Sequence, residues 1–112
     1  DAWDECPPML QARPGAGATV LLNKLDVIGG AAASGSAAPD YGEVFDPNSR
    51  TWTVLNMPPG VVEWADPGVT HVETRIYALG GRMGDTFSDG TLVYSPLVFQ
   101  TFIPAAPSGG DE

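Results

Sequence analysis

The feature that most constrains this chain is a pair of diglycines, Gly29-Gly30 and Gly80-Gly81, which end two similar apolar runs 51 residues apart. In the first, Leu25, Val27 and Ile28 have strand character and stop where the backbone needs positive φ or very close packing. A small-residue loop from Ala31 to Pro39 follows, and then a strand from Tyr41 to Phe45. Asp46-Pro47-Asn48-Ser49 closes it, with Asp and Pro suited to the leading positions of a tight turn. Thr51-Trp52-Thr53-Val54-Leu55 is a further strand, rich in β-branched and aromatic residues. The second copy starts at Arg75 with Ile76-Tyr77-Ala78-Leu79-Gly80-Gly81, crosses a polar loop to Gly90 and continues through the strand Thr91 to Tyr94. The turn Ser95-Pro96 leads to a last strand, Phe99 to Ile103. Phe45 and Tyr94 are 49 residues apart, so the copies stay in step.

A repeat of about fifty residues with several short strands points to propeller blades, each unable to bury its faces alone. The residues also resemble the kelch family, whose blades carry an apolar strand ending in Gly-Gly, an aromatic-Asp-Pro turn and a Trp seven residues past the aromatic. Ile28-Gly29-Gly30, Phe45-Asp46-Pro47 and Trp52 carry this pattern in the first copy, with Phe45 where Tyr is more usual. In the second copy Ile76 to Gly81 and Tyr94 carry it, no Trp follows Tyr94, and Phe99 or Phe102 is left to take its place. The resemblance implies an all-β fold of kelch-type β-propeller blades: two four-stranded antiparallel sheets, an incomplete ring within one chain. It gives Gly29, Gly30, Phe45, Asp46, Pro47, Trp52, Gly80, Gly81 and Tyr94 structural roles, with Phe45 and Trp52 expected to be buried between blades.

In chain order, residues 1–9 read as the outer strand of a preceding blade, because Trp3 corresponds to Trp52 and Pro7-Pro8-Met9 echoes Asn56-Met57-Pro58-Pro59. Residues 10–60 are the first blade. Its innermost strand, by kelch analogy, runs from Ala16 to Leu22 with small side chains suited to the crowded axis, and Asn23-Lys24 is its hairpin link. Residues 61–104 are the second blade: an irregular crossing segment from Val61 to Pro67, an inner strand from Gly68 to Glu73 and the link Thr74-Arg75. Residues 105–112 form a tail or linker. Closed propellers have four to eight blades, so the chain is expected to be a piece of a longer protein or one protomer of an assembled ring. Three copies completing six blades is the leading homotypic form.

The 112 residues include 14 acidic and 5 basic ones, a formal charge of −9, which argues against phosphate-backbone binding by Lys and Arg clusters. No run approaches 18 apolar residues and no basic apolar leader is present, so neither a membrane span nor an intact signal peptide is expected. The start at Asp1 fits processing or truncation. Cys6 is alone, so no intrachain disulfide forms and the compartment stays open.

His71 is the single histidine, in a strand without convergent partners nearby in sequence, and is read as structural or surface. Copper radical oxidases resemble the kelch fold and use paired tyrosines, a cysteine cross-link and histidines, a set that one His and one Cys cannot fill. No catalytic, metal or cofactor residue is expected. Asp85-Thr86-Phe87-Ser88-Asp89-Gly90 lacks the oxygen ligands of a calcium loop and is read as a solvated inter-strand turn. Trp64 with Asp66 and Arg82 could line a partner-binding rim, but blade-to-blade packing of Trp64 is the preferred reading. The reading that follows is a non-enzymatic scaffold or protein-interaction module whose partners are other proteins or further blades. The alternatives are a fragment of a kelch-fold enzyme, an oxidase or carbohydrate-active protein with its catalytic residues in other blades, and a structural subunit of a large complex.

Overall fold

The computed structural model describes residues 2–33, 37–58 and 63–96, and they form β-strands, turns and irregular backbone. Strands β1 (Gly17–Leu21), β2 (Lys24–Ile28), β3 (Tyr41–Asp46) and β4 (Thr51–Asn56) make one antiparallel sheet in sequential order. After β5 (Trp64–Ala65), strands β6 (Gly68–Val72) and β7 (Arg75–Leu79) pair as a hairpin. β8 (Arg82–Met83) and β9 (Thr86–Phe87) form a second small hairpin, and β10 (Thr91–Tyr94) returns to β7. The larger second sheet has the order β10-β7-β6, and β5-β8-β9 is a minor sheet at its end. This is an all-β, propeller-type arrangement of two successive blades. The four-stranded first sheet matches expectation, whereas the second has three strands; the expected fourth, Phe99 to Ile103, and the tail 105–112 lie outside the described residues.

The turns explain where the strands begin. Leu22 and Asn23 both have positive φ, 55° and 63°, giving the two-residue hairpin geometry that matches strand twist. The link is therefore Leu22-Asn23 and not Asn23-Lys24, because Lys24 pairs with Leu21. Likewise Arg75 pairs with Val72, so Glu73-Thr74 is the second link in place of Thr74-Arg75. At the β3–β4 corner Asp46 behaves as expected: its carboxylate accepts from Asn48 N–H at 2.9 Å and its carbonyl accepts from Arg50 N–H at 2.7 Å.

Two expectations are corrected by pairing partners that local sequence does not reveal. Trp64–Ala65, expected to be irregular, is a strand because it pairs with Arg82–Met83 inside what was expected to be a polar loop. Residues 2–9 pair with no strand among the described residues, the preceding blade whose outer strand their sequence resembles not being part of this chain, and Trp3 is fully exposed. They run instead past β4, where Trp52 Nε1–H donates to Pro7 O at 2.8 Å and Arg50 Nη2 donates to Glu5 O at 3.0 Å.

Side-chain alternation assigns the faces. Leu21, Ile28 and Leu55 of the first sheet meet Ile76 and Ala78 of the second around Trp64, with Val44, Val69, Leu92 and Tyr94 packed at the margin. The innermost strands β1 and β6 lie side by side: a Cβ on Gly17 would stand 2.5 Å from Val69 Cγ2, so only glycine allows this approach. The opposite face of the first sheet carries the cross-strand row Val20, Leu25, Phe45 and Trp52. Phe45 and Trp52 stack with centroids 4.9 Å apart at 41°. Phe45 is buried and Trp52 half-buried, but they do not lie between the two blades. The hydrophobic alternation placed them inward without telling which of two apolar faces this neighbour covers.

Candidate interaction surface

The seam between the blades is organised by the diglycines and by the segments that enter each blade. Gly30 N–H donates to Trp64 O at 2.6 Å and Asp66 N–H donates to Gly15 O at 2.7 Å, so backbone groups of one blade hold the entry segment of the next. A Cβ on Gly30, where φ is +120°, would stand 2.5 Å from Arg13 Cβ, and a Cβ on Gly81 would stand 2.7 Å from Ala65 O. Each diglycine thus lets a blade's own entry segment lie against its strand end. The Gly-Gly signature encodes this close approach.

Arg13 and Trp64 occupy the same place in the two repeats, 51 residues apart. Arg13 Nη1 donates to Gly29 O at 3.0 Å, and Trp64 Nε1–H donates to Gly80 O at 2.7 Å. Around Trp64 the site is apolar. Around Arg13 it is ionic: Nε and Nη2 reach Glu43 Oε2 at 3.0 and 2.8 Å, and Nη1 also donates to Tyr41 O at 2.7 Å. Glu43 has no exposed surface and further accepts from Leu10 N–H at 2.7 Å and Gln11 N–H at 3.2 Å. Two buried charges are tolerable only when paired and hydrogen-bonded in this way. Sequence reasoning missed both residues, which are 30 apart; the available signals were Arg13 standing at the Trp64 position and a lone Glu between Gly42 and Val44 in mid-strand.

Trp64 takes the preferred reading, packing, and not the rim: it is 2 % exposed in the interblade core. The indole packs within the cluster that includes Ile28 and Ile76, and its N–H finds a polar partner in Gly80 O. Asp66 and Arg82 are exposed, and Arg82 Nη1 donates to Gly84 O at 3.2 Å. His71 is exposed on β6, with Nδ1 3.0 Å from Thr19 Oγ1, so it links the two inner strands. Residues 85–90 include β9 and end in a turn where Gly90 N–H donates to Ser88 Oγ at 3.1 Å. Cys6 is exposed, and among the described residues no group of three or more His, Cys, Asp or Glu is arranged to hold a metal. Asp26 is buried between the blades; burial pushes its carboxyl up to about 6, with the Lys24 ammonium pulling the other way.

The two outer faces of the blade pair are where apolar surface meets solvent. Leu21, Ile28 and Val44 face the second blade, and their repeat counterparts are Val72, Leu79 and Val93. The former pair Leu21 and Ile28 are 6 % and 2 % exposed, the latter three 57 %, 44 % and 52 %. On the opposite side Val20 and Val54 are also exposed, beside the Phe45–Trp52 stack.

No family model matches the chain. It is 43 % identical over 112 positions, 98 % of its length, to an F-box/kelch-repeat protein of Arabidopsis thaliana. Two putative F-box/kelch-repeat proteins of the same plant are 40 % identical over 84 residues and 42 % identical over 89, covering 70 % and 79 % of the chain. The chain spans only about a quarter of the length of these relatives, 27 %, 22 % and 23 %. With the repeated diglycine strands, the aromatic-Asp-Pro corner and the blade geometry in place, these similarities make the chain a member of the kelch-repeat family.

Proposed function

We propose that the chain is a non-enzymatic protein-interaction module, two successive blades that act within a larger ring or assembly. One observation carries this reading: the positions that the second blade covers on the first, Leu21, Ile28 and Val44, recur uncovered on the second as Val72, Leu79 and Val93. Exposed apolar surface of this kind marks a contact site. The occupant that fits is another blade, because the surface repeats the residues that already accept one. The relatives' names support a kelch architecture, and their greater length leaves room for further blades.

In the isolated chain the available occupant is a second copy, joined head to tail through its Val20, Leu25 and Val54 face. Repetition of that contact gives a closed six-bladed ring of three copies. Sedimentation at rising concentration tests this. The expected result is association beyond 11.7 kDa that a Val72→Glu, Leu79→Glu double variant abolishes while keeping its strand content. A cooperatively folded parent chain that stays monomeric at high concentration overturns the reading.

A further inference from the structure

A cleft of about 520 Å³ opens between the blades at the end marked by the Leu22-Asn23 turn and the Asp46–Arg50 corner. Leu21, Val44, Leu55 and Tyr94 give it apolar walls, and Asp26 lies in it. We propose that this cleft receives a lysine or arginine side chain from a protein partner, its methylenes on the apolar walls and its cation on the Asp26 carboxylate. The proposal rests on the reading of the chain as an interaction module and names the chemistry of one contact.

Three observations carry it. First, Asp26 is 6 % exposed, and among the described residues its carboxylate has no hydrogen-bond donor and no ion pair within 4 Å. Its oxygens are not sealed in but reach the cleft, so a largely desolvated carboxylate is left open to a cation that enters, the environment in which functional carboxylates are found. Second, the fold does not require it: the same position in the second repeat is Tyr77. Third, the cleft combines apolar walls, Leu21, Val44, Leu55 and Tyr94, with the carboxylates of Asp26 and Asp46, which suits a long cationic side chain whose stem buries against apolar groups while its head seeks an anion. The charged and titratable groups around Asp26 are Lys24 on its own strand, Asp46 on β3 and Tyr94 on β10, with His71 of β6 bonded to Thr19, the β1 residue that pairs with Asp26; β4 contributes Thr51, Thr53, Val54 and Leu55. Lys24 is exposed, so an incoming cation meets one solvated competitor and two carboxylates, Asp26 and Asp46. The chain's charge of −9 favours the approach of a basic partner.

The test is an amide-resolved NMR titration of the 112-residue chain with N-acetyl-lysine methylamide and N-acetyl-arginine methylamide. N-acetyl-norleucine methylamide and methylammonium serve as the uncharged and stemless controls. Expected are saturable shifts at Asp26, Val44, Leu55 and Tyr94 with the two cationic probes. Binding should be weaker by about tenfold or more with either control or with Asp26→Asn, the equivalent of one charge-assisted hydrogen bond. It should also weaken as the pH falls through about 6. Shifts that are absent, that persist in Asp26→Asn or that methylammonium reproduces equally overturn the proposal. Nuclear Overhauser contacts in the free chain from Tyr94 or Leu55 to side chains beyond Pro96 overturn it too, since the polypeptide would then fill its own cleft. Failure here leaves the sedimentation result untouched, because Asp26 takes no part in the Val72–Leu79 face.

Discussion

Arg13 and Trp64 donate to the same carbonyl in successive repeats, Gly29 O and Gly80 O, from side chains that share no chemistry beyond a planar N–H. The indole needs apolar walls, and the guanidinium needs an anion. The second blade accordingly has Leu92 where the first has Glu43. The two positions change together because a cation buried without Glu43, or Glu43 without its cation, is the expensive state.

The first prediction is that Arg13→Met or Glu43→Leu alone destabilises the chain by about 3–5 kcal/mol, while the double variant recovers most of that loss. Urea unfolding of the three variants, read as a double-mutant cycle, measures the coupling. Equal losses for the double variant and the sum of the singles would show that the pair is not a unit.

Trp64→Ala is expected to cost about 3–5 kcal/mol, the range for a buried aromatic. Trp52→Ala is expected to cost less, because Trp52 is half-buried on the face away from the second blade. Trp64→Phe isolates the indole N–H: loss of the bond to Gly80 O leaves that carbonyl short of a donor, at about 1–3 kcal/mol. Thermal unfolding followed by circular dichroism ranks the three.

Gly30→Ala is predicted to destabilise by about 2–4 kcal/mol, because a Cβ would collide with Arg13 in a backbone conformation that L residues rarely adopt. Gly68→Ala is the control. Its Cβ would meet nothing nearer than Leu79 Cδ1 at 3.5 Å, so the change should stay within about 0.5 kcal/mol.

The Asp26 carboxyl titrates at about 6 in the fold against 3.8 ordinarily, so between these values the folded chain holds more proton than the unfolded one. The contribution of this group to stability therefore falls as the pH rises through that window. Asp26→Asn should be more stable than the parent at pH 7, and the two should converge below the ordinary carboxyl value. Unfolding midpoints across pH decide it; an Asn variant less stable at pH 7 would mean that the carboxylate has a partner in the fold.

The blades were legible because their signals are local: the diglycines, the Asp46-Pro47 corner and the β-branched run at Thr51–Leu55 each act over a few residues. The turn at Leu22-Asn23 was misplaced by one residue because Leu carries no mark of positive φ. β5 and β8 are two residues long, too short for alternation to show, and exist only because each finds the other. Glu43 and Arg13 meet across 30 residues through a segment that crosses the blade, a relation visible in the repeat alignment but not in any window. For Trp64 the sequence favours packing without excluding a rim, because an aromatic beside charges looks the same in sequence whether the charges face outward with it or away from it.

Two of the bonds that join the blades, Gly30 N–H to Trp64 O and Asp66 N–H to Gly15 O, are made by the main chain. Side chains add the apolar core around Trp64 and the His71–Thr19 bond, and decide whether the entry segment fits. A joint of this kind is indifferent to most substitutions on the exposed strands and loops, so neighbouring blades can drift apart in surface character while keeping their angle. Copying or exchanging a blade then requires only that the new unit present a glycine pair and an entry segment that can lie on it. The mechanical part of the repeat is inherited, and the chemical part is free to diversify.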